Sequence, residues 1–366
     1  MVDSTLQGSI DGTLLRGGTS RGLYVTPAQL PPAGDRRDEL LIDLFGTPDP
    51  LQIDGIGGGN SHTSKVMLVE SADRPDADID YTFGQVGIEA ATVDWSGNCG
   101  NLTSGVGPFA LLAGLVDADE PVTEVVLYNT NTDTYIDQSI PTVDGEPAVD
   151  GEYHIDGIPG TGARIDSYFR DPGGAVTGRL LPTGNRTETL RVDGDDYTVS
   201  LVDAANPNVF LRARDLGLDG RELPDELADP GLLDRLEAIR GAACERLGLV
   251  EDRRDAADER AAIPQLAIVS EPRTAECVSG DRVDAAEMDI TARIITTQTP
   301  HHSYATTGAM CLAAATRIDG TIPAEFVRDT GAEPTDVTIG HPKGTITIGV
   351  ETATRGGAPA IDRVRV

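Results

Sequence analysis

The chain has 366 residues, with 29 Lys+Arg against 60 Asp+Glu for a formal charge of −31, and 39% of its residues are hydrophobic. That apolar content supports a sizeable core and excludes wholesale disorder, and the length suits about two domains. So acidic a chain argues against nucleic-acid binding, which requires clustered Lys/Arg to meet phosphates. All but two of the basic residues are arginine, the exceptions being Lys65 and Lys343. We read this as adaptation to a salty cytoplasm, where ions screen self-repulsion, with an acidic partner-binding surface as the alternative. A surviving lysine in such a chain stands out.

The N-terminal stretch MVDSTLQGSIDGT lacks a basic region followed by an apolar one, so no signal peptide is expected. Strand-like runs at 13–15 and 23–25 flank Gly18-Thr19-Ser20-Arg21-Gly22, which matches G-x-S-x-G. A nucleophile elbow needs a helix after its serine; a strand follows here, so the segment reads as a turn between strands. Residues 38–45 read as a short helix. Gly55-Ile56-Gly57-Gly58-Gly59-Asn60 approaches a dinucleotide fingerprint but has Asn60 where the last glycine belongs, and no glycine precedes Lys65 as a phosphate loop requires. Lys65 closes this polar run and enters the apolar strand 66–69. Partial burial there disfavours the ammonium form and makes the amine a base.

Further strands are expected at 79–83, 122–128, 197–202, 265–269, 288–295 and 345–350, separated by Gly, Pro, Asp and Asn clusters. Residues 230–249 show helical spacing of Leu232, Leu236, Ile239, Ala243 and Leu247, with Gly248 near the end, and 251–262 reads as a solvated loop. Two other helices are apolar all round and so must be buried all round. One opens at Gly97-Asn98-Cys99-Gly100-Asn101 and runs through Leu112; the other opens near Tyr304-Ala305-Thr306-Thr307-Gly308 and runs through Ala314. Each is embedded among strands, which suggests a duplicated unit, a sheet wrapped around a central helix, twice. The longest apolar run, 108–116, is too short to span a bilayer, so no membrane association and a cytoplasmic location are expected.

Cys99 stands in the first turn of the first such helix. Unpaired N–H groups there favour thiolate, and Asn98 and Asn101 add amides suited to an anion. Cys244, Cys277 and Cys311 lie in apolar or ordinary surroundings and read as packed thiols. No CxxC spacing occurs, so a zinc site is not expected. His301-His302-Ser303 precedes the second helix without a third ligand in register; substrate contact is the expectation for His302 and Ser303, and no metal. Arg273, in the turn Ser270-Glu271-Pro272-Arg273-Thr274, is a candidate carboxylate clamp.

Taken together, Arg16-Gly17-Gly18-Thr19-Ser20-Arg21-Gly22, Gly58-Gly59-Asn60-Ser61-His62-Thr63-Ser64-Lys65-Val66 and Gly97-Asn98-Cys99-Gly100-Asn101 with Val106-Gly107-Pro108-Phe109 resemble the PrpF-type 2-methylaconitate isomerase family. So do Asp203-Ala204-Ala205-Asn206-Pro207-Asn208-Val209-Phe210, Ala305-Thr306-Thr307-Gly308-Ala309 and Gly340-His341-Pro342. The resemblance implies an α+β, diaminopimelate-epimerase-like fold: two pseudo-symmetric domains, each a curled antiparallel-rich sheet around a central helix, with the site in the cleft between them. The expected boundaries are 1–180, with a central helix from about 98 and completion by a C-terminal strand near 358–366, and 181–357, with a central helix from about 305. The resemblance puts the catalytic lysine and cysteine on Lys65 and Cys99. It puts substrate contacts on Ser20, Asn60, Ser64, Asn98, Gly100, Asn101, Asn206, Thr306, Thr307 and Gly308, and implies no cofactor.

Two departures matter. Arg21 replaces the family's usual lysine. The second helix start carries no cysteine, which disfavours a two-thiol racemase and favours a lysine–cysteine allylic isomerase. The expected activity is isomerisation of a small anionic tricarboxylate, 2-methylaconitate first and 4-oxalomesaconate as the alternative. A non-catalytic accessory protein for a partner hydratase is the alternative of another class. Homo-oligomerisation is left open.

Overall fold

The computed structural model describes residues 9–95, 97–328 and 336–366. The chain divides into two compact units, Met1–Tyr153 with Thr161–Ser167, and His154–Gly160 with Tyr168–Val366.

In the first unit, strand Thr13–Gly17 turns back antiparallel onto Ser20–Val25, as expected for the G-x-S-x-G segment. Ser20–Val25 then pairs in parallel with Lys65–Ser71, which pairs antiparallel with Ile79–Val86. Ile79–Val86 pairs in parallel with Val122–Asn129, and that strand antiparallel with Thr134–Val143. A parallel pair needs a crossover, and each crossover here carries helix: Asp35–Phe45 in the first, Gly100–Thr103 and Val106–Leu112 in the second. Side chains alternate across a strand, so one face of this sheet sends Leu23, Val25, Val66 and Leu68 onto Leu41 and Phe45 of the outer helix. The opposite face carries Tyr24, Lys65, Met67, Tyr81, Phe83 and Gln85 by the same alternation. It looks onto the inner helices: Tyr24 donates to the Leu102 carbonyl, and the Tyr81 hydroxyl lies 3.0 Å from Thr103 Oγ1.

The second unit repeats this order. Asp195–Ala204 and Asn206–Arg212 are antiparallel, Asn206–Arg212 is parallel to Gln265–Ser270, and Gln265–Ser270 is antiparallel to Ile290–Thr296. Ile290–Thr296 is parallel to Asp336–His341, which is antiparallel to Gly344–Arg355. The first crossover holds Pro230–Arg246, started by Asp229, whose carboxylate accepts from Leu232 N at 2.9 Å, and Pro230 at the first helical position. The second holds Thr306–Thr316, buried along its whole length. Leu236, Ile239 and Ala243 of the outer helix pack on Val199, Val209, Leu211, Leu266 and Ile268. Glu188–Val192 adds an edge strand, and Ala358–Arg365 pairs with Gly344–Arg355 and with Tyr168–Arg170. The repeated alternation of antiparallel and parallel steps bears out the duplication and the α+β class.

Two elements differ from the sequence expectation. The first inner helix is interrupted at Ser104 and Gly105 rather than continuous to Leu112. The groups that would bridge the gap are taken by side chains: Tyr24 occupies the Leu102 carbonyl, while Gln138 donates to the Thr103 carbonyl at 3.0 Å and accepts from Gly107 N at 2.8 Å. Pro108 has no N–H to offer Ser104. A Cβ on Gly105 would sit 2.4 Å from the Tyr24 hydroxyl, so only glycine allows the approach. The stretch 251–262 is also more ordered than a solvated loop, with a 3-10 turn at Arg253–Asp255 and helix Ala256–Glu259. The cause is Arg240, buried on the outer helix, which donates to the carbonyls of Ala256 and Arg260.

Candidate active site

Lys65 is the first residue of its strand and is half-buried. Its Nζ donates to Gln85 Oε1 at 2.6 Å and lies 5.0 Å from the centre of the Phe83 ring. Gln85 is its direct partner across the antiparallel pair. The loop that delivers Lys65 is tied from beneath: Ser64 Oγ donates to Gln52 Oε1 at 2.6 Å and to the Asn60 carbonyl at 3.0 Å, and Gly59 N donates to Gln52 Oε1 at 2.9 Å. Asn60 itself is exposed, with Oδ1 accepting from His62 N at 2.9 Å.

Cys99 is the N-cap of helix Gly100–Thr103 and makes no side-chain capping bond, so its thiol is not spent on the helix start. It is 8% exposed. Gly97, two residues earlier, packs its Cα hydrogen side against the Phe83 ring, where an added Cβ would meet ring carbons at 3.4 Å. Phe83 thus touches both the Lys65 amine and Gly97, two residues before Cys99. Asn98 Oδ1 accepts from Asn129 Nδ2 at 2.9 Å. Gly100 opens the helix, and Asn101 ties it to the hairpin turn, accepting from Thr19 N at 3.3 Å and donating to Thr19 Oγ1 at 3.2 Å and Ser20 Oγ at 3.5 Å. Gly18 in that turn has φ +51, and a Cβ there would lie 2.2 Å from Asn101 Oδ1. The first unit therefore carries Ser20, Lys65, Asn98, Cys99, Gly100 and Asn101 along the inner-helix face and its rim, whereas the hydroxyl of Ser64 is buried beneath the loop on Gln52 and Asn60.

The remaining candidates lie on the second unit. Asn206, first in its strand, donates to Thr307 Oγ1 at 2.9 Å. Thr306 and Thr307 begin the buried inner helix, and Gly308 is required because a Cβ would lie 2.3 Å from Ile294 and 2.7 Å from Gln265 Oε1. His302 is exposed, and Ser303 N donates to His301 Nδ1 at 3.1 Å. Arg273 donates to Glu271 at 2.5 Å, an ion pair that a substrate carboxylate would have to displace. Burial pushes the thiol of Cys244 up to about 11, and raises those of Cys277 and Cys311, in keeping with packed cysteines. Among the described residues no three His, Cys, Asp or Glu side chains converge as metal ligands would.

Sequence reasoning missed four amides that hold this arrangement: Gln52, Gln85, Asn129 and Asn131. Asn131 accepts from Phe83 N at 2.7 Å and donates to the carbonyls of Phe83 and Trp95 at 2.9 and 2.8 Å, fixing the segment before Cys99. The run Asn129-Thr130-Asn131-Thr132 at a strand end was the available signal, since such residues bond nearby backbone. Gln85 lies past the expected strand 79–83, in the stretch to Val86 by which the observed strand is longer.

The family described as PrpF protein matches residues 7–366. The chain is 40% identical to a protein named 3-methylitaconate isomerase from Eubacterium barkeri, covering 92% of this chain and 88% of that one. It is 35% identical to 2-methyl-aconitate isomerase from Shewanella oneidensis, covering 95% and 91%. A crystal structure of methylitaconate-delta-isomerase aligns with TM-score 0.83 at 37% identity, over 97% of this chain and 92% of that one.

Proposed function

The chain belongs to the PrpF family, has a diaminopimelate-epimerase-like fold and is an isomerase, and from that premise we propose that it moves a proton within a small unsaturated carboxylic acid, 2-methylaconitate first, without a cofactor. The observation that carries this reading is the Lys65 amine on the sheet face that looks onto the inner helices, with Phe83 against both Lys65 and Gly97, two residues before the N-cap Cys99.

The chemistry follows from what these groups can do. A proton on carbon next to a C=C conjugated with a carboxylate leaves its electron pair in a dienolate, spreading negative charge onto carboxylate oxygens. The Lys65 amine takes that proton, and N–H donors at the helix start with the amides of Asn98 and Asn101 stabilise the charge as it forms. Rotation within the delocalised anion, or return of a proton to the other end of the allylic system, gives the isomer. Cys99 is the partner acid/base or holds the substrate against Lys65. Asn206, Thr306, Thr307 and Gly308, the substrate contacts that the resemblance implies on the second unit, offer neutral donors at a strand start and a helix start. A second reading, 3-methylitaconate, is favoured by the higher identity, 40%, to the relative of that name; 4-oxalomesaconate completes the set to be tried.

The test is incubation of the isolated protein with each acid in D2O, followed by proton NMR. Deuterium entering the allylic position of 2-methylaconitate together with appearance of its geometric isomer is the expected result. Exchange confined to 3-methylitaconate moves the substrate assignment there. Absence of exchange with all three overturns the proposal and leaves the accessory role for a partner hydratase.

A further inference from the structure

We propose that Gln85 is a positioning residue that holds the Lys65 amine while leaving it free to change protonation state; this rests on the reading of Lys65 as the base. Gln85 Oε1 accepts from Lys65 Nζ at 2.6 Å, and the two residues face each other in register. The amide cannot turn over without loss, because Nε2 donates to the Ser64 carbonyl at 2.8 Å, with the carbonyls of Ser61 and Val86 at 3.4 Å. Its oxygen is therefore the end presented to the amine. An amide oxygen accepts from –NH3+ and, more weakly, from –NH2, so the bond persists as the proton arrives and leaves without a countercharge pinning the ammonium form. A carboxylate in the same place would hold the same geometry yet favour the ammonium form. In a chain with 60 acidic residues, a glutamine opposite the candidate base is the neutral choice at the position where charge would cost most.

The titratable groups around Lys65 fit this view. The elements next to it carry His62 in its own loop, Arg21, whose N donates to the His62 carbonyl at 2.8 Å, and the buried phenols Tyr24 and Tyr81 on the same sheet face, which looks onto the inner helices headed by Cys99. Asp94 is the register partner of Gln85 on its other side. Gln85 stands between that carboxylate's strand and Lys65.

With only two lysines in the chain, Lys65 can be titrated without any substrate. Trace acetylation with acetic anhydride across pH, read by peptide mass spectrometry, follows Lys65 with Lys343 as internal reference. In Gln85→Glu the half-acetylation pH of Lys65 rises by about one unit or more, and in Asp94→Asn it does not rise. The same Gln85→Glu variant loses at least about tenfold in kcat at pH 7 and recovers toward the parent rate at high pH. Gln85→Leu loses kcat at every pH with KM little changed, and circular dichroism shows both variants folded. An unmoved Lys65 titration in Gln85→Glu overturns the inference. If instead Lys65→Ala stays active, the base reading fails, whatever the titration shows.

Discussion

The two units share a scaffold and differ in what they hang on it. Lys65 and Gln265 each open the strand that pairs in parallel with a hairpin strand. Cys99 and Ala305 are each the N-cap of an inner helix. Even the tie between hairpin and helix recurs, Asn101 to Ser20 in one and Asn206 to Thr307 in the other, each joining the first residue of a strand to the second of a helix. Where the first unit has an amine and a thiol, the second has an amide and a methyl group. An amide and a methyl cannot carry a proton at neutral pH; they can only bind and shape. Duplication of a fold therefore does not duplicate its side-chain chemistry, and in the proposed reading of Lys65 and Cys99 only the first unit supplies acid/base groups at these positions.

The comparison breaks most visibly at its first pair. Lys65→Ala is expected to lose at least about 10³-fold in deuterium exchange, whereas Gln265→Ala loses less than about tenfold. Equal losses would mean that both strand starts do chemistry. The cysteines come next. Cys99→Ala should lose about 10²-fold in kcat with an unchanged Tm. Cys311→Ala, whose thiol donates to the Val202 carbonyl at 3.3 Å inside the second unit, should keep its rate and lose about 1–2 kcal/mol of stability in denaturant titration.

A comparable effect on stability concerns acid. Burial holds the His341 imidazole down at about 4 in the folded second unit. The unfolded chain, with an ordinary histidine, binds the proton first, so stability from this group is complete above about pH 6.5 and declines as pH falls toward 4. Between pH 7 and 5 the parent should lose about 2 kcal/mol more than His341→Asn, measured by chemical denaturation at each pH. An identical loss in both would remove His341 from the account.

Much of this was legible in the chain. The apolar strand runs, the Asp229-Pro230 helix start and the all-round apolar Thr306–Thr316 each follow local rules strong enough to survive folding. Lys65 stood out because lysine is otherwise nearly absent, and Cys99 because small and amide-bearing residues surround it. The interruption at Ser104 and Gly105 was not legible, since it is made by Tyr24 and Gln138, residues far away in sequence that take over helix hydrogen bonds. Gln52 and Gln85 escaped for the same reason: a glutamine's role depends on which carbonyl or amine its strand brings opposite, and that is a property of register.

The parallel pairings have a kinetic consequence. Leu23 meets Val66, Ile79 meets Leu127, and Val209 meets Leu266, each across a whole crossover segment. Closing such long loops costs chain entropy before any contact rewards it, so the sheet that carries Lys65 forms late and slowly. Nascent chains of this protein must shelter two oily inner helices until those closures are made, and that interval is where aggregation competes with maturation.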